Sequence, residues 1–374
     1  MNKKALALLL ALTAALTGCG IEKISNPADE INSAEANQQK AAVTEAPTEA
    51  VTTTTTTVTT GLSLPVETIE TVSNETAEIV GGCILADKGT PCVRAMEQYY
   101  YSGETSTKYA DTLENYYNAL GGNVNVYGMV IPTSQAFYTP ASIAGDYKNQ
   151  GEAMKETYAK FTDAKPVDIY DILNEHKNEY IYSRSDYHWQ PLGAFYAAYT
   201  FAQTAGVDFA DFGTYTAVTR QDYLGSFYSV NNISALADFP DMFTYYKPAN
   251  LDMCKFTYYN TDFTGGTEGR LFYEDNATSS SYTVFVGHDD TILEVDTNAQ
   301  SDRTLVIFKD SYGNALVPFL TSSFKKIYLC DFRYFDLNAI SFIQQQDATD
   351  LLFAMGAPAC NDSKKVGMIA SDMG

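Results

Sequence analysis

Short apolar runs that alternate with helix-like segments constrain the fold of this chain more than any other feature. The runs lie at residues 124–131, 167–173, 303–308, 326–330 and 350–354. Helical patterns separate them, for example at residues 106–120 and 152–161. Strands that alternate with helices predict an α/β fold with a parallel sheet flanked by helices. Between residues 207 and 300 the alternation stops, which predicts an irregular insertion with short strands.

The N-terminus has the parts of a secretory signal. Lys3 and Lys4 precede an apolar run over residues 5–16, which is shorter than the roughly 20 residues needed to cross a bilayer. The run ends in LTGC, which resembles the lipobox of bacterial lipoproteins. This resemblance implies a signal peptide over residues 1–19, lipidation of Cys19 and an extracytoplasmic location on the cell membrane. The alternative is an ordinary secretory signal with an incidental cysteine.

Two regions of different composition follow the signal. Residues 20–76 are rich in Thr, Ala and Glu and contain six consecutive threonines at 52–57. This stretch has too little apolar area to offset its ordering entropy, so a disordered stalk is predicted. Residues 77–374 have a globular composition, and their length is suited to one large domain.

Charge and cysteine spacing restrict the functional classes. The net charge of −22 disfavours a nucleic-acid partner. The 28 tyrosines combine apolar rings with hydroxyls, which suits a carbohydrate or protein surface, or core filling. Apart from Cys19 the cysteines show no metal-binding spacing, although Cys83 and Cys92 are placed to pair across a hairpin.

The densest cluster of chemically active side chains is SDYHWQPLGA at residues 185–194. It contains His188, one of three histidines in the chain, and Asp186 two positions before it. Residues two apart in an extended segment project to the same side. Pro191 is favourable as the first residue of a helix. The Asp-His pair is therefore expected on a loop just before a helix, where functional residues are often held.

A second segment, FKDSYGNA at residues 308–315, follows a β-rich run. We expect a helix to start after Ser311, with this serine at the carboxyl end of a parallel strand. Backbone N–H groups at a helix start point at any oxyanion formed there. Ser311, His188 and Asp186 have the residue types of a nucleophile, a general base and an orienting acid.

These segments resemble the DHHW family of bacterial surface proteins. The resemblance rests on SDYHWQPLGAFYAAY, FKDSYGNALVPFL and YLCDFRYF, and it covers residues 77–357. The family is in turn similar to the SGNH-hydrolase-like domains of alginate O-acetyltransferases, in which an Asp-x-His pair precedes the nucleophilic serine. The resemblance implies an SGNH-hydrolase-like fold and a catalytic triad of Ser311, His188 and Asp186.

The chain departs from these families at two positions. Tyr187 replaces the first histidine of the Asp-His-His-Trp motif, which suggests that this histidine is dispensable to the chemistry. Lys309 replaces the glycine before Asp-Ser, which affects the geometry of the oxyanion hole. Besides the Ser311 N–H, the hole has three candidate donors: the N–H of Gly225, the N–H of Gly313 or the side-chain amide of Asn314.

The remaining predictions concern contacts with substrate. Arg184 and Arg333 are suited to binding a carboxylate or a sugar hydroxyl, with structural ion pairs to Asp186 and Asp331 as the alternative. His288 is expected either to line the cleft or to hydrogen-bond a loop. Trp189, the only tryptophan, completes the predicted site.

A metal site formed by Asp186, His188 and His288 is disfavoured, because the chain has no HExxH or paired-histidine spacing. No cofactor is expected. The sequence thus predicts a serine esterase or O-acyltransferase that acts on a cell-surface glycan. The alternative is a non-catalytic glycan-binding or adhesion lipoprotein on the same scaffold.

Overall fold

The computed structural model describes residues 52–53, 76–276 and 278–374. The predicted signal peptide, Cys19 and nearly all of the predicted stalk lie outside these residues. No helix in the described part of the chain is long and apolar enough to cross a membrane.

Strands and helices are numbered along the chain. The strands are β1 (Thr52–Thr53), β2 (Ala77–Val80), β3 (Cys83–Ala86), β4 (Arg94–Glu97), β5 (Asn125–Ile131), β6 (Lys165–Pro166), β7 (Thr216–Tyr223), β8 (Asp241–Lys247), β9 (Lys255–Tyr259), β10 (Thr267–Gly269), β11 (Ile292–Asp296), β12 (Thr304–Lys309), β13 (Lys326–Asp331) and β14 (Asp350–Gly356). The α-helices are α1 (Gly103–Ala119), α2 (Gln135–Tyr138), α3 (Gln150–Tyr158), α4 (Tyr170–Glu175), α5 (Pro191–Ala205), α6 (Ser226–Ser229), α7 (Val317–Leu320), α8 (Ala339–Gln345), α9 (Ala357–Cys360) and α10 (Ser363–Ser371). The 3₁₀ helices are Ala144–Asp146, Phe212–Thr214, Ser234–Asp238, Leu251–Met253, Thr278–Val284 and Ser311–Leu316.

The main sheet of the described residues has the strand order β10-β9-β11-β13-β12-β14-β5-β6. From β13 to β6 neighbouring strands are parallel, whereas β11 pairs antiparallel with both β13 and β9, and β9 pairs antiparallel with β10. The predicted α/β fold with a sheet flanked by helices is therefore confirmed, with an antiparallel extension on one side.

Helices cover both faces of the parallel strands. Gly128 and Tyr127 are consecutive in β5 and point to opposite faces. A Cβ on Gly128 would lie 2.6 Å from Leu113 Cδ2 of α1, so the glycine permits the close approach of this helix. On the other face, Phe201 of α5 packs against Tyr127 with ring centroids 5.3 Å apart. β14 is buried at every residue, as expected for a strand covered on both sides.

The predicted insertion contributes to two sheets. β7 and β8 form an antiparallel hairpin outside the main sheet, and β1 pairs with β7. β9, β10 and β11 extend the main sheet instead. β2, β3 and β4 form a small antiparallel sheet of their own.

One predicted strand is wrong. Residues 167–173 enter helix α4 instead of forming a strand, and only Lys165–Pro166 pairs with β5. Asp168 Oδ1 accepts a hydrogen bond of 3.1 Å from the N–H of Tyr170. This local bond favours a turn into a helix over an extended chain.

No disulfide joins Cys83 and Cys92. In the small sheet the residue opposite Cys83 is Glu97. Cys92 precedes Glu97 by five positions, which is about 16 Å along an extended chain. Disulfides require Cα atoms within about 7 Å, so the two thiols lie at opposite ends of this hairpin.

Candidate active site

Ser311 lies at the carboxyl end of β12, on a turn fixed by the preceding aspartate. Asp310 Oδ1 accepts a hydrogen bond from the N–H of Tyr312 (3.2 Å), and its Oδ2 accepts one from the N–H of Gly356 (2.8 Å). The expected helix begins at this serine as the 3₁₀ helix Ser311–Leu316, and α7 follows. Asp310 thus caps the helix and ties the serine turn to the end of β14.

His188 and Asp186 lie on the loop before α5 and contact this serine. His188 Nε2 is 2.8 Å from Ser311 Oγ, and His188 Nδ1 is 2.6 Å from Asp186 Oδ1. Nδ1 faces a carboxylate and is the protonated nitrogen, so Nε2 is left to accept the serine O–H. The structure therefore brings the three residues together in hydrogen-bonded order.

The environment of Asp186 keeps this carboxylate ionised. Burial would raise the pKa of Asp186, but the imidazole of His188 and hydrogen bonds hold the pKa below its ordinary value. Oδ1 also accepts the N–H of His188 (2.8 Å), while Oδ2 accepts both the N–H (2.8 Å) and the hydroxyl (2.6 Å) of Ser226. Ser226 was not predicted from the sequence, because it lies 40 positions from Asp186 in the chain.

Aromatic side chains hold the imidazole from the sides. The ring of Tyr282 stacks on His188 with centroids 3.8 Å apart and planes 9° apart, and its hydroxyl is 3.0 Å from the carbonyl oxygens of Ser311 and Tyr312. Trp189 Nε1 donates toward the Tyr282 hydroxyl (3.3 Å) and the Tyr312 carbonyl (3.2 Å). Trp189 is fully buried, so it supports the site from behind and does not line it. No sequence signal singled out Tyr282 among so many tyrosines.

The predicted backbone donors of the oxyanion hole have other partners. The N–H of Gly225 donates to Ser185 Oγ (3.1 Å), and the N–H of Gly313 donates to the carbonyl of Asp310 (3.0 Å). A Cβ on Gly225 would lie 2.4 Å from Asp186 Oδ2, so this glycine makes room for the carboxylate. The prediction that one of these two N–H groups donates to the oxyanion is therefore wrong for the structure as it stands.

A buried ionic cluster lies beside the serine turn. Lys309 Nζ contacts Asp289 Oδ1 (2.6 Å) and Asp331 Oδ2 (2.8 Å), and Arg333 contacts the same two carboxylates. Asn314 Nδ2 donates to Asp289 Oδ1 (2.9 Å). Burial would raise the pKa of Asp289, but Lys309 and Arg333 hold it well below its ordinary value. Arg333 and Asn314 are thus engaged inside the protein, and the ion pair of Arg333 with Asp331 was the expected alternative.

Two further predicted site residues, Arg184 and His288, have hydrogen-bond partners outside the triad. Arg184 pairs with Asp241 (2.9 Å) rather than with Asp186, which is occupied by His188 and Ser226. His288 is exposed, and its carbonyl accepts a hydrogen bond from Thr291 Oγ1 (3.3 Å).

Glu97, at the end of β4, was not predicted from the sequence. Its half-buried carboxyl interacts electrostatically with His188, Asp310 and Lys365. Burial raises the pKa of Glu97 to about 7. A titratable carboxyl therefore lies near the imidazole. Within the described residues no group of His, Cys, Asp and Glu side chains is arranged to hold a metal ion.

The sheet and the serine turn at its carboxyl edge define a protein with an SGNH-hydrolase-like fold. The chain belongs to the DHHW family: the family model described as DHHW protein matches residues 57–330. The crystal structure of a DHHW family protein from Eubacterium siraeum is 34% identical, with a TM-score of 0.73 over 78% of this chain and 96% of that chain.

More distant structures share the fold. PatB1 from Bacillus cereus, solved with a sulfonyl adduct, is 19% identical, with a TM-score of 0.61 over 79% of this chain and 99% of that chain. The O-acetyltransferase domain of AlgJ from Pseudomonas putida matches at 13% identity and a TM-score of 0.42, over 77% of this chain and 98% of that chain, a distance that supports no inference. No curated protein matches the sequence.

Proposed function

We propose that the chain is a serine-dependent esterase or O-acyltransferase that acts on a cell-envelope or extracellular glycan. The observation that carries the proposal is the hydrogen-bonded series Ser311, His188 and Asp186, with distances of 2.8 and 2.6 Å. PatB1 has the same fold and was solved with a sulfonyl adduct. Sulfonyl electrophiles capture activated nucleophiles, which supports a reactive group on this scaffold.

In the acylation step, His188 Nε2 accepts the hydroxyl proton as Ser311 Oγ attacks the ester carbonyl carbon. In this proposal the backbone N–H of Ser311 stabilises the oxyanion that forms on the carbonyl oxygen. Asp186 stays ionised and stabilises the imidazolium. When the intermediate collapses, the bond to the sugar oxygen breaks and His188 returns its proton to that oxygen.

Deacylation repeats these steps with a second nucleophile. His188 removes a proton from water or from a sugar hydroxyl, whose oxygen attacks the acyl carbon, and then returns the proton to Ser311 Oγ. Hydrolysis results if water attacks, and transfer results if the cleft excludes water and holds an acceptor sugar.

The experiment is labelling with a fluorophosphonate probe, mapped by peptide mass spectrometry. We expect covalent label on Ser311 in the wild type, none in Ser311→Ala and at least a hundredfold slower labelling in His188→Ala, in keeping with the usual contribution of a general base. Ser371→Ala, which removes an exposed serine of α10, is the matched control and keeps the label.

Absence of fluorophosphonate label on the wild-type protein would contradict the enzyme proposal. Glycan binding that persists in Ser311→Ala would then favour the adhesion or binding module on the same scaffold.

We also propose that the protein is a lipoprotein anchored outside the cytoplasm through Cys19. The LTGC segment after an apolar run supports this placement. Stable anchoring requires about two acyl chains, because each buried CH₂ contributes only about 0.8 kcal/mol.

A further inference from the structure

An exposed pair of tyrosines follows directly after β4. The Tyr100 side chain is 69% exposed, more than any other aromatic residue in the described part of the chain. Its ring centroid is 6.1 Å from that of half-buried Tyr147. A ligand that packs on the Tyr100 ring would therefore bury apolar area.

The two rings are fixed by one amide. Gln98 Oε1 accepts hydrogen bonds from the hydroxyls of both Tyr100 (2.9 Å) and Tyr147 (3.0 Å), and Gln98 Nε2 donates to the carbonyl of Gly82 (2.7 Å). Each phenolic oxygen keeps lone pairs that can accept a further hydrogen bond. The two tyrosine rings are therefore ordered before any ligand arrives, which lowers the entropic cost of binding.

The tyrosine pair lies close in the chain to a residue that interacts with the candidate active site. Glu97 precedes Gln98 and interacts electrostatically with His188 and Asp310. Tyr100 is three residues further along the chain, so its Cα lies within about 11 Å of that of Glu97. One glycan chain is long enough to contact both the tyrosines and the half-buried carboxyl.

We propose that Gln98, Tyr100 and Tyr147 form a sugar-binding platform that guides a neutral glycan past Glu97 to Ser311. This proposal rests on the proposed function, because it names the substrate class of that site. The apolar faces of sugar rings pack on exposed tyrosine rings, and sugar hydroxyls donate to the phenolic oxygens and to the Glu97 carboxylate. The net charge of −22 selects against a polyanionic glycan.

Two assays on the full protein separate the platform from the chemistry. The first measures hydrolysis of p-nitrophenyl acetate, which is too small to contact both Ser311 and the tyrosine platform. The second measures the Kd for O-acetylated xylo-oligosaccharides and chito-oligosaccharides, with alginate as the anionic comparison. We expect Tyr100→Ala to weaken binding of one of the neutral oligosaccharides by about fivefold or more, and to leave p-nitrophenyl acetate hydrolysis within about twofold of wild type.

Gln98→Ala keeps both rings but releases them, and we expect a smaller loss of affinity. Tyr199→Ala is the matched control, because Tyr199 is another exposed tyrosine, on α5. The platform is overturned if the wild type binds neither neutral oligosaccharide, if Tyr100→Ala and Tyr199→Ala bind equally, or if alginate binds as tightly as the neutral sugars. A wild type that binds sugar through Tyr100 but hydrolyses no ester would contradict the proposed function alone.

Discussion

At the scale of single residues, the geometry of the candidate triad depends on the orientation of the Asp186 carboxylate. Asp186 accepts two hydrogen bonds from His188 at Oδ1 and two from Ser226 at Oδ2. The Asp-x-His spacing made the first contact predictable from the sequence. The second contact joins positions 40 residues apart in the chain, so no local pattern predicts it.

Replacing Ser226 by alanine tests this orientation. The variant loses the 2.6 Å hydroxyl bond to Asp186 but keeps the backbone N–H bond. A hydrogen bond to a charged group contributes about 1.5–3 kcal/mol, so we expect kcat/KM for p-nitrophenyl acetate to fall about tenfold or more. Ser229→Ala, in the same short helix, removes a hydroxyl bond to the Gly225 carbonyl and serves as control. Equal rates in both variants would contradict the orienting role of Ser226.

At the scale of elements, Lys309 and Asp331 are opposite each other at the ends of the parallel strands β12 and β13. The lysine that departs from the family glycine therefore enters an ionic cluster with Asp289 and Asp331. The sequence reasoning identified the departure at Lys309 but not its partners, because strand register is set by tertiary packing.

We expect Lys309→Met to lower the free energy of unfolding by about 3–5 kcal/mol. The substitution removes one of two cations from the cluster and leaves the carboxylates of Asp289 and Asp331 with Arg333 alone. Negative charge that is not fully compensated is strongly destabilising in a buried cluster. Urea unfolding followed by circular dichroism measures the change. The exposed Lys325 provides the control, since Lys325→Met is expected to change stability by no more than about 0.5 kcal/mol. A loss in Lys309→Met as small as that of the control would contradict the structural importance of the cluster.

The end of α10 provides a pH-dependent prediction. Burial raises the pKa of Asp372 to about 7, and its Oδ2 is buried with no hydrogen-bond partner among the described residues. The folded state therefore holds a proton between about pH 4 and pH 7 that the unfolded state releases, so stability falls as pH rises through this window. We expect Asp372→Asn, which cannot ionise, to raise Tm by about 2–4 °C at pH 8 and to have little effect at pH 4. Thermal unfolding at both pH values checks this, and a pH-independent difference would contradict it.

Strands and helices were predictable where the residues that determine them are close together in the sequence. The apolar runs at 303–308, 326–330 and 350–354 became the parallel strands β12, β13 and β14. The strand predicted at residues 167–173 was wrong, because the hydrogen bond from the Tyr170 N–H to Asp168 favours a turn into helix α4. The antiparallel strands β9 and β11 could not be placed in the main sheet, because their pairing depends on contacts distant in sequence.

At the scale of the whole molecule, the site is assembled by topology. Ser311 and His188 are 123 positions apart, yet the fold places their side chains 2.8 Å apart at the carboxyl edge of the sheet. The family resemblance made this meeting predictable, whereas the residue patterns alone supplied only two separate motifs. The backbone donors of the oxyanion hole were not predictable in the same way, because the N–H groups of Gly225 and Gly313 are used in local turns.

At the same scale, substitution of Cys19 tests whether the protein is anchored to a membrane. If the LTGC segment directs lipidation, the wild type incorporates a palmitate analogue and partitions into the detergent phase of Triton X-114, because acyl chains supply the apolar area for anchoring. Cys19→Ser is expected to lose both properties, whereas Cys92→Ser, a cysteine of the folded domain, keeps them. An aqueous, unlabelled wild type with a cleaved N-terminus would instead indicate an ordinary secretory signal. The enzyme proposal would be unaffected, but the protein would then reach its glycan by diffusion rather than from a fixed anchor.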